Sequence, residues 1–406
     1  MASAPVSIEQ VLGHLARRQH LHPASRASDV VRLVDDIVAL HATDPASVVL
    51  SAWARVDGFE RGALERAIEE QRSLVRAICM RQTLHVVGAA ALPMFFQALA
   101  ERHIRSEQRQ NEKVLVLAGL CGPEEASARL DDIETRVMLV LGRSEYASAR
   151  EFGEAVPELR ASMTYAEGKA YGGKIGIGTR ILYLMGLRGL LVRARVRGTW
   201  RSTQYDYAAL SRWLPEVDLG ALEPAEARAK LVRAYIRAFG PATAEDIQWW
   251  AGFTKGDTRA ALKALGPGVV EVEVAGLEGL HLLLAEDLER LCAVTPSSEP
   301  FVSLLPSLDP YVMGYRDRRR FLAPEHHSAL FDRSGNAGPT VWVGGRVVGG
   351  WATRKDGSVV YRLLEPCGEE ERSLVGAEAR RLEEALGGER VAPRFLGPLA
   401  RELARG

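Results

Sequence analysis

Residues 240–285 read GPATAEDIQWWAGFTKGDTRAALKALGPGVVEVEVAGLEGLHLLLA, and the fold is decided there. Thr243 with Asp246 three residues on is a capping-box-like start, a hydroxyl and a carboxylate serving the free N–H groups of a first helical turn. Ala244, Ile247, Trp250 and Ala251 then share one helical face before Gly252 stops the helix. Thr254 and Asp257 repeat the spacing. Ala261, Leu262 and Leu265 supply a second buried stripe, and Gly266-Pro267-Gly268 ends it. Residues 269–274 alternate as a half-exposed strand, 275–279 turn, and 280–285 return. Two helices followed by a hairpin make a winged helix, whose second helix is the one able to enter a major groove. Its outward residues are read as Lys255, Thr258, Arg259 and Lys263. The plainer alternative is a helix pair that only packs as a scaffold.

Outward from this unit, a looser copy lies upstream. A helix runs from Lys174 through Met185 to Gly186 and Gly189. Over 190–197, Val192, Ala194 and Val196 then face one way while Arg193, Arg195 and Arg197 face the other. Gly198-Thr199 turns the chain, and 200–207 returns it with Arg201. Such an arginine comb suits phosphate tracking, because each guanidinium is a bidentate fork; a solvated hairpin face is the alternative. Nearer the N-terminus, helices are expected over 8–18, 28–40 and 61–71. A strand-like stretch over 74–87 resembles the wing of a third, degenerate copy. Linkers are expected at 120–125 and 215–224, and the tail 377–406 looks helical. The expected domains are 1–120 with an N-terminal winged-helix-like character, 121–222 with a second winged helix, and 223–406 with a third plus a β-rich segment and helical tail.

The 406 residues are 47% hydrophobic and 26% charged, a soluble globular profile large enough for two or three domains. No apolar run approaches the roughly 20 residues of a membrane span, and the start lacks a signal peptide's basic and apolar regions, so a cytoplasmic, nucleoid-associated monomer is expected. Cys79, Cys121, Cys292 and Cys367 are scattered singly, which offers neither a disulfide framework nor paired zinc ligands. A formal net charge of zero is awkward for a nucleic-acid protein. If DNA is the partner, positive charge must be gathered on one surface.

Three blocks carry a resemblance to a known family. They are Leu40-His41-Ala42-Thr43-Asp44-Pro45 with Ser51-Ala52-Trp53-Ala54-Arg55, then Met80-Arg81-Gln82-Thr83-Leu84-His85, then a C-terminal block. The last comprises Leu304-Leu305-Pro306-Ser307-Leu308-Asp309-Pro310-Tyr311, Gly314 to Arg318, and Pro339 to Gly349. In that order they resemble the AlkZ/YcaQ-type winged-helix DNA glycosylases. The resemblance implies an α+β, mainly α fold of tandem winged-helix modules curved into a C-shaped, DNA-embracing cleft. It also implies a catalytic pair of glutamines separated by one apolar residue. His41 stands at the first glutamine and Thr43 at the second, with Asp44 directly after, so the chemistry has to be argued afresh. Similar histidine variants occur in branches linked to bulky guanine adducts left by DNA-alkylating antibiotics, which points to self-resistance.

A purine alkylated at N7 or N3 already carries positive charge and leaves readily, so an enzyme need only stabilise an oxocarbenium-like sugar and deliver water. His41 and Thr43 can orient that water, and an imidazole can take its proton near neutral pH. Asp44 can hold the imidazole tautomer, act as base, or place negative charge beside the cation; before Pro45 it can equally cap the next helix. An extended His-Ala-Thr puts His41 and Thr43 on one side and turns Ala42 inward. No lysine lies near the motif, so water is the expected nucleophile and the enzyme monofunctional, without metal or organic cofactor. The rival reading is a non-enzymatic winged-helix DNA-binding protein, a regulator or damage-binding factor.

Other expected DNA contacts are Arg81, Gln82 and His85, the last two read as lining the cleft near His41. Arg316, Arg318, Arg319 and Arg320 form the densest basic run, which Asp309 and Asp317 can equally hold in intramolecular pairs. Arg333 and Asn336 lie in a flexible 332–338 loop or a simple turn. The adjacent His326 and His327 cannot form a metal pair on one helix face. The glycine-rich 172–178 run lacks the order of a phosphate loop.

Overall fold

The computed structural model describes residues 5–165, 173–295 and 300–405. The chain forms two compact units, one from residues 1–65 and 228–406, the other from 66–227. Residues 120–125 form a turn between two helices of the second unit that share one core.

In the first unit, Ser7 and Gln10 form a capping box that starts α1 (Ile8–Arg18). Asp29 caps α2 (Val30–Ile37), and β1 (Leu40–His41), α3 (Pro45–Trp53) and α4 (Arg61–Glu65) follow. The helix expected over 61–71 thus breaks, and a π-helical turn, Arg66–Glu70, carries the chain into the second unit.

The stretch expected as a strand over 74–87 is a hairpin of β2 (Leu74–Ile78) and β3 (Leu84–Gly88), with Ala77 opposite His85. Then come α5 (Leu92–Leu117), α6 (Ala126–Arg143), β4 (Ala147–Ser148) and α7 (Ala149–Ala155). Two strands, β5 (Ser162–Tyr165) and β6 (Gly173–Gly176), pair antiparallel ahead of α8 (Ile177–Leu187). The glycine-rich run is therefore mostly strand, and the helix expected from Lys174 begins at Ile177; Gly172 lies outside the described residues. β7 (Leu191–Val196) and β8 (Tyr205–Ala209) form the expected hairpin, β4 adds at its edge, and α9 (Leu210–Trp213) ends it. Leu115, Ile133, Val137, Phe152, Ile181 and Met185 join α5, α6, α7 and α8 in one apolar core.

α10 (Pro224–Phe239) returns the chain to the first unit. Both capping boxes read from the sequence are formed, Thr243 with Asp246 starting α11 (Ala244–Ala251) and Thr254 with Asp257 starting α12 (Lys255–Leu265). Gly252 ends α11 at φ 72°, a left-handed conformation that side chains disfavour. β9 (Val269–Glu273) and β10 (Leu280–Leu284) then pair antiparallel. Next are α13 (Leu288–Cys292), β11 (Val302–Leu305), α14 (Pro310–Met313) and α15 (His327–Leu330). β12 (Thr340–Val343), β13 (Arg346–Thr353) and β14 (Val359–Leu363) complete an antiparallel sheet in the order β11-β12-β13-β14. The tail is α16 (Glu369–Leu386) and α17 (Pro398–Leu403), with irregular chain between them. Tyr235, Phe239, Trp250, Tyr311, Tyr315 and Trp342 interlock as the aromatic core, with Tyr311 stacked on Trp342 at 4.9 Å. Among the described residues no helix is long and apolar enough to cross a membrane.

Two buried histidines set an acid limit on this fold. Burial pushes both His14 on α1 and His85 on β3 down to about 4 from 6.5. In the unfolded chain each takes a proton near 6.5, so stability is lost as pH falls from about 6.5 towards 4, and nothing is lost above that window. Each site contributes roughly 3 kcal/mol across it. Thermal unfolding followed from pH 7.5 to 4.5 is expected to show this decline, and His85→Asn is expected to remove about half of it, leaving the His14 part.

Candidate active site

The chain enters the candidate motif through a strained turn. Val38, the C-cap of α2, has φ 75° and ψ −44°, a γ-turn-like conformation that a β-branched side chain disfavours. Strain of this kind costs about 1–3 kcal/mol and persists only where the surroundings enforce it. It turns the chain into β1, so that His41, Ala42 and Thr43 arrive directly at the start of α3. Ala42 is buried, as its inward reading requires.

His41 is 7% exposed, so most of its ring is covered by the protein. The Thr43 N–H lies 3.5 Å from its Nδ1, a long contact that points the amide at the ring. The Thr43 side chain is half-buried, and its Oγ1 is buried without a hydrogen-bond partner among the described residues. A buried hydroxyl in that state is costly, and in native proteins it calls for a functional or solvent explanation. Asp44 stands at the N-cap position of α3 but makes no side-chain capping bond. Instead the Ser47 hydroxyl donates to Asp44 Oδ2 at 2.9 Å. Burial pushes the Asp44 carboxyl above its ordinary value, while the Ser47 hydroxyl and the Arg394 guanidinium pull the other way.

α3 holds this cluster in place. All nine of its residues are buried, and its polar side chains recur one turn apart, at Ser47 and Ser51, with Arg55 just beyond its end. Arg55 and Asp309 are both fully buried and form a two-pronged ion pair at 2.6 and 2.7 Å. Ser51 Oγ–H donates to the same carboxylate at 2.9 Å, Arg55 Nε–H to the Gln19 carbonyl at 3.0 Å, and the Tyr311 N–H to Asp309 Oδ1 at 3.0 Å. Leu308 takes φ 56° beside this aspartate, and the Ser307 hydroxyl donates to the Phe395 carbonyl at 2.7 Å. Two of the sequence blocks singled out above, far apart in the chain, thus meet as one buried polar anchor. The neighbouring Arg394 escaped the sequence reading altogether, since nothing local links it to Asp44.

The expected DNA-contact residues divide by exposure. On α12, Lys255, Arg259 and Lys263 are exposed, but Thr258 is buried and donates to the Thr254 carbonyl at 3.1 Å, which corrects its outward reading. Arg320 is also corrected: it is 2% exposed, donates to the Pro241 carbonyl and lies 3.5 Å from Asp246, so it serves the fold. Asp309 is committed to Arg55, whereas Asp317 holds Arg319 at 2.7 Å. Arg318 donates to the Val312 carbonyl and lies over the Phe331 ring at 4.6 Å, leaving Arg316 and Arg333 exposed. Asn336 is tied to Asp332 at 2.9 Å in an ordered turn.

In the second unit the comb residues lie along β7 and just past its end, and the register shifts at a bulge between Arg193 and Arg195. Arg193 lies over Tyr205, Arg195 lies over Tyr146, and Arg197 pairs with Asp206 at 2.8 Å. Arg201 lies beside Trp200. Arg81 and Gln82 both take positive φ, 50° and 60°, at the turn between β2 and β3. Gln82 Nε2 bonds His103 Nδ1 at 2.8 Å, and the Tyr183 hydroxyl donates to the Gln82 carbonyl at 3.1 Å. His85 is buried, with Nδ1 3.0 Å from the Thr83 carbonyl, which corrects its reading as a DNA contact. Among the described residues no group of three or more metal-ligating side chains is found.

A model of the DNA glycosylase AlkZ-like family matches residues 34–385. An interstrand DNA cross-link repair glycosylase of Streptomyces sahachiroi is 35% identical over 133 residues, which span 32% of this chain and 35% of that relative's length. The solved structure of the Streptomyces sahachiroi DNA glycosylase AlkZ superposes with a TM-score of 0.70 at 22% identity, over 96% of this chain and 99% of that one. At that identity the superposition shows a shared fold.

Proposed function

Because the chain belongs to the AlkZ-like DNA glycosylase family, we propose that it hydrolyses the N-glycosidic bond of alkylated purines in duplex DNA, with His41, Thr43 and Asp44 positioning and activating water. The observation that carries this reading is the buried, unpartnered Thr43 Oγ1, one residue before Asp44, whose carboxyl has its proton affinity raised by burial. A hydroxyl without a protein partner is suited to bind water. A carboxylate of raised pKa is a better base than an ordinary aspartate. As the C1′–N bond breaks, its electron pair leaves with the cationic base. Water held by Thr43 adds to C1′ and gives its proton to Asp44. His41 accepts from the Thr43 amide and stiffens the turn that presents both groups. The product is free base and an abasic site.

The substrate class fits this machinery, because a positively charged base needs little acid assistance and the site offers no strong acid. Bulky guanine adducts or crosslinks are the favoured lesions, and the relative named for interstrand cross-link repair supports that choice. Antibiotic self-resistance is the corresponding biological role. DNA is held through tandem winged-helix modules, with α12 as the groove-entering helix. Lys255, Arg259 and Lys263 recur every four residues on it, and none has an ion-pair partner among the described residues.

The test is a panel of duplexes bearing simple methyl, crosslinking and bulky intercalating alkylations, scored for base release and alkali-sensitive strands. Release is expected from the wild type. His41→Ala is expected to lose release while still binding DNA. Single-turnover excision unchanged in that variant would remove His41 from the mechanism, and tight binding with no release from any lesion would favour a regulator instead.

A further inference from the structure

We propose that the exposed basic face of α5 is a surface that tracks the phosphate backbone of duplex DNA, an inference that rests on the glycosylase reading above. α5 has 26 residues, a length of about 39 Å at 1.5 Å per residue. Leu92, Phe95, Ala98, Leu99 and Ala100 bury its first turns, whereas Arg102, Arg105, Arg109 and Lys113 are exposed. At 100° per residue these four fall within a stripe roughly 80° wide.

The three acids of the same helix lie at or beyond the edges of the stripe: Glu112 borders it about 20° from Arg105 and accepts from Gln108 Nε2 at 2.9 Å. Glu107 points the other way and pairs with Arg180 of α8 at 2.9 Å. Glu101 flanks one edge and takes Arg105 at 2.5 Å, in an exposed pair of the kind that contributes little. Arg102, Arg109 and Lys113 have no carboxylate within 4.0 Å among the described residues, and Arg109 Nε–H instead donates to the Arg105 carbonyl at 3.2 Å. Many exposed arginines elsewhere are neutralised in place, as in Arg150–Glu154, Arg233–Glu286 and Arg362–Glu402.

In a chain of zero formal net charge, a basic stripe in which three of four cations have no ion-pair partner among the described residues is a local choice rather than a by-product of composition. It repels itself and gains only when a polyanion covers it. Its cations are about 4.5–6 Å apart along the axis and span some 16 Å. A DNA strand presents a phosphate about every 3.4 Å of helix axis, so flexible arginine and lysine arms at this spacing reach three or four phosphates. A depression bounded by Arg102, Arg105, Gln108 and Arg109 opens on this side of the helix.

The experiment measures the full chain's affinity for an undamaged duplex across salt concentrations. The variant combines Arg102→Gln, Arg105→Gln and Arg109→Gln. Each lost phosphate contact removes about 0.9 from the slope of log affinity against log salt, so the triple variant is expected to flatten the slope by about 2–3. The matching Arg→Lys triple, which keeps the charge, is expected to retain it, and Arg150→Gln is expected to leave it unchanged. Thermal unfolding of each variant confirms that the fold is intact. An unaltered slope in the glutamine triple overturns the proposal and leaves α5 to a different, acidic protein partner. Equal flattening by Arg150→Gln also overturns it, because the effect would then be one of total charge. A wild-type chain that binds no duplex at any salt concentration fails the glycosylase reading itself, and that result is distinct from either of the others.

Discussion

Asp309→Ala is expected to lower the unfolding free energy of the first unit by about 3–5 kcal/mol, the cost of leaving a buried charge without its partner. Arg55 has no route to water, since both members of the pair are fully buried. Removing the carboxylate also orphans the Ser51 hydroxyl and the Tyr311 amide. The double variant Arg55→Met/Asp309→Leu is expected to recover most of that loss, because it leaves no charge in the interior. Urea unfolding of the three chains gives the comparison, and a single-variant loss below 1 kcal/mol would sink the anchor interpretation. The pair also fixes α3 along its length, so the double variant separates stability from catalysis. A chain that folds normally but excises slowly shows that the anchor positions the motif rather than merely supporting the core.

Asp44→Asn is expected to slow single-turnover excision by about 10²–10⁴-fold, the usual contribution of a positioned general base. The same change is expected to leave the melting temperature unaltered or slightly raised. Burial lifts the Asp44 pKa, so at neutral pH the ionised carboxylate is held at a cost that the amide does not carry. Asparagine still offers an oxygen to the Ser47 hydroxyl. The sign follows from the shift: a carboxyl raised in the folded state stabilises the fold as pH falls through its folded pKa and costs stability above it. The acid limb of the wild-type rate is expected above the range of an ordinary aspartate, and it is expected to vanish in the residual activity of Asp44→Asn. A wild-type rate that stays flat down to the ordinary carboxylate range would remove Asp44 as the base. Loss of rate together with a large drop in melting temperature would return it to a structural role at the head of α3.

Which of these residues could be read in advance depended on how far each interaction reaches. The Thr243–Asp246 and Thr254–Asp257 boxes, the stop at Gly252 and the β9–β10 hairpin involve partners a few residues apart, and all are formed. The placement of His41, Thr43 and Asp44 ahead of a helix was legible for the same reason. Their burial was not, because it depends on what covers them. The basic spacing of α5 is present in the sequence, but periodicity alone does not say which face of a helix stays wet.

The sequence by itself determined the local grammar of this protein: helix starts and stops, hairpins, and a polar motif at the entry to α3. Only the tertiary structure decided that residues 1–65 and 228–406 form one unit, that Arg55 pairs with Asp309, and that Arg320 and Thr258 turn inward while Arg102 and Arg109 remain uncompensated. The physical reason is that capping and turn energies are settled within one helical turn. Desolvation and ion pairing are instead settled by whichever distant segment the chain brings to the same place.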